Sequence, residues 1–377
     1  MWIIYNCKEM VAFFCGGFYQ SGEVSEFLRN SKVALSWANN TLQWGFIKGL
    51  REYYGHFECL SVPQIGAYPF RYRKMRCRGN DGVQGNSLLT VPFCNLVLYK
   101  YLSQYRQFRR VLRERLKNVA DSEEIVVYIY DLNVVLIKAA VEAKRKRVDI
   151  KICLIVPDLS FYTGEKNFLH QKFLQWQEKR LIHLYEKVDF LVLISEHMKE
   201  KLPSFVSDRC ITIEGIYNPD LKQGNSDTVN RPGIRSVFYA GAVSVRNGIV
   251  NLLEAFNGIP GDEYRLYICG LGDAVETVLK FAEQDPRIVY KGQLAQQDVF
   301  VLQQQSTLLV NPRTPELAFS RYSFPSKTME YFASGIPVLM YKLDGIPDEY
   351  YQYCFCPENL SRIFFEQEDT LVRETTK

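Results

Sequence analysis

One pattern recurs five times in the second half of the chain: a short β-branched or aromatic run, a glycine or proline turn, and a longer amphipathic run. The short runs are typical of buried strands, and the longer runs are typical of helices that cover a sheet. Strands that alternate with helices form parallel sheets, because each crossover returns the chain to start the next strand in the same direction. The pattern therefore predicts an α/β fold with a doubly wound parallel sheet.

The same alternation is present, but weaker, in the first half. There the predicted strands are 11–15, 57–61, 125–130, 151–156 and 189–194, and the predicted helices are 38–53, 132–147 and 167–187. In the second half the predicted strands are 236–240, 264–269, 288–290, 307–310 and 337–340, and the predicted helices are 249–256, 273–284, 296–304 and 326–333. Two such sheets predict two Rossmann-like domains, whose ligands bind outside the carboxyl ends of the strands.

Length and composition agree with two globular domains. The chain has 377 residues, more than one core usually holds, and its 47% of hydrophobic residues excludes disorder along the whole chain. A segment at 215–235 is rich in Gly, Asn, Asp and Pro and predicts the region of the boundary. We assign the domains to 1–205 and 206–357, and we expect 358–377 to pack back on the first domain.

The sequence also favours a particular compartment. No apolar run reaches the roughly 20 residues that span a bilayer. The ten cysteines lack the spacing of zinc sites, and scattered cysteines of this kind are typical of reduced thiols. We therefore expect a cytoplasmic protein.

Positive charge is concentrated in the first half. Residues 1–200 hold 29 Lys and Arg against 20 Asp and Glu, whereas residues 201–377 hold 17 against 22. Within 71–117 twelve basic side chains accompany two acidic ones, and apolar residues recur among them at near-helical spacing. A basic amphipathic helix suits the surface of an anionic membrane. A solvated helix face is the alternative, and nucleic acid is a weaker candidate because no RNA-binding or zinc-finger pattern accompanies the charge.

A loop in the second half carries groups suited to phosphate. The loop 241–248 follows a predicted strand and opens a helix, whose free backbone N–H groups favour anions. Arg246 adds a forked donor for phosphate oxygens. Diphosphate binding is one interpretation, and a glycine turn with an exposed arginine is the other.

The segment 323–338 adds a second set of such groups. Pro325 cannot donate a hydrogen bond, and Ser326 can cap the helix that follows, so the next amides point outward. Lys327 supplies positive charge, and Glu330 lies one turn later on the same side, where its carboxylate can accept both hydroxyls of a ribose. Together these residues predict a site for a sugar nucleotide.

The order of the motifs is more specific than any one of them. The motifs are Tyr239-Ala240-Gly241 with Arg246-Asn247-Gly248, then Ile268-Cys269-Gly270-Leu271-Gly272, then Asn311-Pro312-Arg313, then Phe324-Pro325-Ser326-Lys327 with Glu330 and Gly335-Ile336-Pro337-Val338. This order resembles the C-terminal domain of GT-B glycosyltransferases, and most closely glycosyltransferase family 4 in its bacterial polysaccharide-assembly members. The resemblance covers residues 236–350 well and the first half loosely.

The resemblance implies a GT-B fold, with two Rossmann-like domains facing across a central cleft, the acceptor on the first and the nucleotide sugar on the second. It implies that Arg246 and Lys327 hold the donor diphosphate, Glu330 the ribose hydroxyls and Gly292 the base. The implied donor-binding residues are Gly241, Ala242, Arg246, Gly270, Gly272, Gly292, Phe324, Pro325, Ser326, Lys327 and Glu330. No D-x-D motif is present, so we expect the donor charge to be neutralised without a metal, and no cofactor besides the UDP- or GDP-linked donor.

The resemblance also points to the first domain. Asp158 follows a predicted strand, in a region where related transferases often have a histidine or aspartate near the reacting sugar. It is our candidate for the polar group on the acceptor side, catalytic together with Arg246 and Lys327, and a turn residue is the alternative. Gly16 and Gly17 match a flexible acceptor-side loop, and Asn40 begins a helix near it, although a polar helix start explains Asn40 equally well.

These implications predict a retaining, metal-independent glycosyltransferase that acts on a lipid-linked glycan in capsule or exopolysaccharide assembly, at the inner face of the membrane. Two departures from the family pattern keep an alternative open. Tyr322 stands where the family often has the first of two glutamates, and Ala242 stands where it often has an arginine. The alternative is a catalytically inactive GT-B subunit that stabilises a partner transferase. A sugar-nucleotide 2-epimerase is weaker, since the carboxylates and histidines it needs cannot be located.

Overall fold

The computed structural model describes residues 10–33, 35–80, 87–159, 179–216, 235–294, 296–316 and 320–357. The chain divides into two compact units, Met1–Ile216 and Tyr217–Lys377. Each unit is built on its own parallel sheet, as the alternating pattern predicts.

The first unit contains a seven-stranded sheet. The described strands of the whole unit, in chain order, are β1 (Val11–Gly16), β2 (His56–Ser61), β3 (Arg76–Cys77), β4 (Leu88–Thr90), β5 (Phe93–Cys94), β6 (Ile125–Tyr130), β7 (Ile150–Val156), β8 (Phe190–Leu193) and β9 (Cys210–Thr212). The large sheet has the order β4-β2-β1-β6-β7-β8-β9, and every neighbouring pair in it is parallel. Strands β3 and β5 form a separate antiparallel pair.

Helices cover this sheet. They are α1 (Val24–Asn30), α2 (Trp37–Tyr53), α3 (Lys100–Leu116) and α4 (Val134–Lys144), and residues 179–185 are also helical. All six residues of β1 are buried, which is why the strand is a continuous apolar run rather than an alternating one. Helix α4 begins where Asn133 Oδ1 accepts hydrogen bonds from Val135 N–H and Leu136 N–H.

Helix α3 is the basic amphipathic helix of the sequence. Phe108, Leu112 and Leu116 on its apolar face are buried in the first unit. This part of the apolar stripe therefore belongs to the core, and only its first turn and the residues before it expose large apolar side chains.

The second unit contains five strands and four helices among the described residues. They are β10 (Arg235–Ala240), α5 (Ile249–Asn257), β11 (Tyr264–Cys269), α6 (Val275–Gln284), β12 (Ile288–Gly292), α7 (Gln296–Gln304), β13 (Leu308–Asn311), α8 (Ser326–Ser334) and β14 (Val338–Met340). The sheet has the order β12-β11-β10-β13-β14 and is parallel throughout. The order reverses at β10, so the loops after β10 and β13 meet at the carboxyl edge where such sheets bind ligands.

The structure corrects the expected boundary after residue 205. Strand β9 pairs with β8 in the first sheet, so the first unit continues to Ile216. The segment 358–377, and most of the expected helix 167–187, lie outside the described residues. In the described part of the chain, no helix combines the length and the apolar character needed to cross a membrane.

Candidate functional site

Two glycine-containing loops of the second unit pack backbone against backbone. Gly270 has a φ of +132°, and a Cβ there would lie 1.8 Å from the Gly241 carbonyl oxygen. A Cβ at Gly272 would lie 2.0 Å from the Val243 carbonyl oxygen, and Val243 N–H donates to the Leu271 carbonyl at 2.9 Å. Only glycine fits at both positions, so this pair fixes the path of the loop that follows β10.

Gly292 joins the same cluster of loops. It is the last residue of β12, has a φ of +68° and accepts a hydrogen bond from Gly270 N–H at 2.8 Å. Apart from its two chain neighbours, no described residue has an atom within 4 Å of the position that a Cβ would take at Gly292. The structure therefore brings Gly241, Gly270, Gly272 and Gly292 together at one edge of the sheet.

The loop after β10 is stabilised from within. The carbonyl oxygen of Ala242 accepts hydrogen bonds from Tyr239 Oη at 2.8 Å and from Asn247 Nδ2 at 2.9 Å. Ser244 Oγ accepts from Asn247 N–H at 3.3 Å at the start of a short 3₁₀ turn. Arg246 lies in that turn and is exposed.

Arg313 connects this loop to the segment before α8. Gly248 has a φ of +79°, and a Cβ there would lie 1.9 Å from the Pro312 carbonyl oxygen, so the start of α5 touches the loop after β13. From that loop Arg313 donates to Asn247 Oδ1 at 3.2 Å and to Ser323 Oγ at 3.3 Å. The guanidinium therefore connects its own loop after β13 with the loop after β10 and with the segment before α8. The Asn-Pro-Arg motif in the sequence did not predict this role.

Helix α8 presents a lysine and a glutamate on one side. Pro325 occupies the N-cap position with extended ψ, and α8 begins at Ser326. The N-cap position is thus occupied by Pro325 and not, as expected, by Ser326, which is the first helical residue. Lys327 Nζ lies 2.6 Å from Glu330 Oε2, as their spacing predicts, and both side chains are partly exposed.

Two buried contacts place the first turn of α8 at the strand ends. Tyr331 Oη accepts a hydrogen bond from Ala240 N–H, at the end of β10, at 3.0 Å. Asn311, the last residue of β13, donates to Thr328 Oγ1 at 3.4 Å. Lys327 therefore lies near the carboxyl edge that carries the glycine loops.

The turn before α8 is packed on aromatic rings. The side chain of Phe324 is buried and meets the Tyr350 ring edge-on at 5.4 Å. The Tyr350 ring in turn stacks on Phe332 at 5.9 Å. The buried ring of Phe324 thus fixes the position of the backbone that leads into Pro325 and Lys327.

In the first unit, Gly16 and Gly17 lie at the carboxyl end of β1. A Cβ at Gly16 would lie 2.2 Å from Gln43 Oε1, which accepts a hydrogen bond from Gly17 N–H at 2.8 Å. Asn40 Oδ1 accepts from Tyr19 N–H at 2.8 Å. This differs from the expected flexible loop, because both glycines are buried and two side chains of α2 bind the backbone around them.

Asp131 is the most unusual residue at this edge. It directly follows β6, and among the described residues it is the one non-glycine with a positive φ, +70°. Its Oδ1 accepts a hydrogen bond from Leu132 N–H at 2.7 Å, and Gln64 Nε2 lies 3.4 Å from its Oδ2. A left-handed backbone costs about 1–2 kcal/mol for an ordinary residue, and strain of this kind concentrates at functional sites.

The electrostatics of Asp131 are also unusual. Its pKa is raised from the ordinary value of 3.8 to about 6, chiefly by burial, with a smaller contribution from the negative charge of Asp158. Asp158 follows β7, the neighbouring strand, and is exposed. The predicted acceptor-side residue thus has a second carboxylate beside it.

Sequence reasoning missed Asp131, although a signal was present. The strand 125–130 and the start of the next helix were both predicted, and Asp131 lies directly between them. An aspartate immediately after a strand of a parallel sheet lies at the ligand-binding edge, as was argued for Asp158. Within the described ranges no three His, Cys, Asp or Glu side chains group as metal ligands would.

Comparison with known proteins agrees with this architecture. Residues 234–371 match the family model of glycosyl transferases group 1. No curated protein sequence matches the chain. Sequence identity to the solved structures named below is low.

Three solved structures illustrate the likeness of the fold. The apo form of the lipopolysaccharide outer core galactosyltransferase WaaB is 15% identical with a TM-score of 0.55, over 98% of this chain and 92% of that one. Sucrose-phosphate synthase from Thermosynechococcus elongatus is 14% identical with a TM-score of 0.61, over 94% and 88%. Anabaena Alr3699/HepE in complex with UDP-glucose is 14% identical with a TM-score of 0.59, over 97% and 91%.

The family match lies on the unit that carries the glycine loops, Arg313 and the Lys327–Glu330 pair, and the structural likeness extends over both units. Residues 234–371 are thus similar to the glycosyl transferases group 1 family, and the chain has the GT-B fold of these solved structures.

Proposed function

We propose that the chain transfers a sugar, with retention of configuration and without a metal, from a UDP- or GDP-linked donor to an acceptor hydroxyl. We propose further that the acceptor is a lipid-linked glycan of capsule or exopolysaccharide assembly, presented at the inner face of the cell membrane. Retention rests on the family resemblance, and metal independence rests on that resemblance and on the absence of a D-x-D motif from the sequence.

The single observation that carries the donor assignment is the ion pair between Lys327 and Glu330 at 2.6 Å, in the first turn of a helix that begins at the carboxyl edge. A cation at a helix N-terminus suits a diphosphate, and a carboxylate one turn further suits ribose hydroxyls. Arg313 ties this turn to the loop that carries Arg246. The solved HepE structures contain UDP and UDP-glucose, which supports a nucleotide sugar as the donor.

In the proposed reaction the acceptor oxygen bonds to the anomeric carbon on the face that the diphosphate leaves, so the configuration is retained, and the acceptor proton passes to a carboxylate. The bond between that carbon and the diphosphate oxygen breaks, and the diphosphate leaves with both electrons. Lys327, Arg246 and the first amides of α8 stabilise the negative charge that grows on the leaving group. Fixed donors of this kind contribute several kcal/mol each, about 3 kcal/mol for one oxyanion donor.

On the acceptor side we propose that Asp131 and Asp158 face the acceptor hydroxyl, near the backbone at Gly16 and Gly17. A carboxyl whose pKa lies near 6 is suited to accept a proton close to neutral pH. A lipid-linked acceptor fits the basic region 71–117, which we propose contacts the anionic membrane surface.

The donor site is tested by calorimetric titration with UDP and GDP and by the rate of donor hydrolysis. We expect Lys327→Ala and Arg246→Ala to weaken nucleotide binding at least about tenfold, since a hydrogen bond to a charged group contributes about 1.5–3 kcal/mol. Unfolding stability should change little, because the Lys327–Glu330 pair is partly exposed.

The matched control is Lys199→Ala, which removes another (i, i+3) pair, that of Lys199 with Glu196 in the first unit. If Lys327→Ala and Glu330→Ala both bind nucleotide and hydrolyse the donor as the parent does, the site assignment is refuted. Nucleotide binding without hydrolysis or transfer in the parent chain would instead favour the inactive accessory subunit, to which the departures at Tyr322 and Ala242 point.

A further inference from the structure

The first unit exposes a dense group of large apolar side chains in three short segments. The segments are 28–33, 69–78 and 96–106, which we call the basic apolar surface. Its exposed apolar residues, with the fraction exposed where it is largest, are Leu28, Val33, Phe70 (74%), Met75, Leu96, Val97, Leu98 (93%), Tyr99, Tyr101 and Leu102. Clusters of this size on one domain mark an interaction surface, since single exposed apolar residues are normally scattered.

Backbone hydrogen bonds hold the three segments side by side. Tyr68 N–H donates to the Asn95 carbonyl at 2.9 Å, and Val97 N–H donates to the Tyr68 carbonyl at 3.1 Å. Lys32 N–H donates to the Arg71 carbonyl at 3.0 Å. The segments therefore form one surface rather than three separate patches.

The charge of this surface has one sign. The three segments contain nine basic side chains and no acidic one: Arg29, Lys32, Arg71, Arg73, Lys74, Arg76, Arg78, Lys100 and Arg106. The nearest acid along the chain, Glu26, pairs with Lys74 at 2.7 Å. Lys100 donates to the Ile65 carbonyl and supports the loop instead of facing solvent. The surface thus combines aromatic and aliphatic tips with a net positive charge.

The basic apolar surface is held by a buried hydrogen bond and lies near the carboxyl edge of the first sheet. Asn95 is fully buried, and its Nδ2 donates to the Gly66 carbonyl at 2.8 Å, so the loops after β2 and β5 are joined beneath the exposed tips. These loops leave the carboxyl ends of their strands, and Val62 N–H in the first of them donates to the Gly16 carbonyl at 2.8 Å. The surface is therefore continuous with the edge proposed to take the acceptor.

We infer that the basic apolar surface docks the protein on a membrane leaflet rich in anionic lipid, with Phe70 and Leu98 entering the interface. This inference rests on the proposed lipid-linked acceptor and replaces a face of α3 as the membrane contact, since Phe108 and Leu112 are buried in the core. An anionic bilayer complements the positive charge of this surface, and basic residues interspersed with aromatic and leucine tips are typical of interfacial membrane binding.

The test is sedimentation of the full chain with vesicles of phosphatidylcholine containing phosphatidylglycerol, against vesicles of phosphatidylcholine alone. We expect binding to the anionic vesicles that falls as salt is raised. The double variant Phe70→Ser/Leu98→Glu and the double variant Arg71→Glu/Arg73→Glu should each lower the partition coefficient about tenfold or more. Because these side chains are exposed, thermal unfolding should be unchanged.

Val148→Glu is the matched control. Val148 is 84% exposed and lies before β7, at the opposite edge of the same sheet. Parent-like vesicle binding by both double variants, or equal loss in Val148→Glu, overturns the inference. A parent chain that is dimeric by light scattering and becomes monomeric on Leu98→Glu also overturns it, since the surface then joins two copies.

Donor hydrolysis without vesicles separates this inference from the proposed function. Lost vesicle binding with unchanged hydrolysis in both double variants supports the docking surface. Vesicle binding by a parent chain that binds no nucleotide supports the docking surface and refutes the donor assignment instead.

Discussion

Replacing Asp131 with asparagine should stabilise the first unit and change how its stability depends on pH. The substitution keeps an Oδ1 acceptor for Leu132 N–H, and asparagine tolerates the φ of +70° at least as well as aspartate. It removes a carboxylate whose pKa is 3.8 in its ordinary state and about 6 in the fold. An acid with a raised pKa binds more protons in the folded state, so folded stability falls as pH rises from about 4 to about 6.

The size of the effect follows from the same two values. A shift of about two pKa units corresponds to roughly 3 kcal/mol, which the folded protein loses in full above pH 7. Asp131→Asn should therefore be more stable than the parent by up to about 3 kcal/mol at pH 8 and by roughly half of that at pH 5. For a domain of this size, each kcal/mol moves the melting temperature by about 2–4 °C.

Urea unfolding followed by tryptophan fluorescence measures this directly. All four tryptophans of the chain, at positions 2, 37, 44 and 176, precede the boundary at Ile216, and Trp37 and Trp44 lie in α2, so the fluorescence change follows the unfolding of the first unit. Asp121→Asn is the control, because the Asp121 side chain is fully exposed. If the parent and Asp131→Asn keep the same stability difference from pH 5 to pH 8, burial does not raise this pKa and the reasoning fails. If Asp131 serves the acceptor, the stabilised variant should also lose transfer while it retains nucleotide binding in the second unit.

Two further predictions concern the packing around the sites. Gly272→Ala should destabilise the second unit by about 2–4 kcal/mol, because its Cβ would lie 2.0 Å from the Val243 carbonyl oxygen. Gly49→Ala in α2, where no described atom lies near the new Cβ, should instead stabilise the first unit by up to about 1 kcal/mol. Calorimetric melting of both variants checks this, and equal effects would contradict it. Gln43→Leu should cost about 1–3 kcal/mol in urea unfolding, because it leaves the buried Gly17 N–H without its acceptor, and a neutral result would show that this hydrogen bond is dispensable.

The strands and helices were predictable because their signals are local. The strand 125–130 was predicted with the bounds that β6 has, and the helix 296–304 with those of α7. Strands of a parallel sheet that is covered on both faces are continuous apolar runs, and turn residues bound them. The short strands β3, β4, β5 and β9 were missed, since two or three residues carry no period and depend on a neighbouring strand.

The candidate site was predictable in part for a related reason. That Lys327 and Glu330 lie on the same side of α8 follows from helix geometry alone, and the structure confirms it, since the two side chains are 2.6 Å apart. The bridge from Arg313 to Asn247 joins residues 66 positions apart, and nothing local to Arg313 indicates it. Arg246 and Asp158 remain predictions for catalysis, because their spacing in the sequence does not determine what they face.

The sequence by itself determined the class of fold, the order of the glycosyltransferase motifs and the excess of positive charge in the first half. The tertiary structure decided which of those charges and apolar side chains lie together on a surface. It also decided which apolar residues of α3 are buried in the core. It also decided the state of Asp131, whose pKa depends on burial and on Asp158, and whose carboxylate meets Gln64 from 67 residues away. Secondary structure follows from neighbours along the chain, whereas electrostatics and exposure depend on which distant segments the fold brings together.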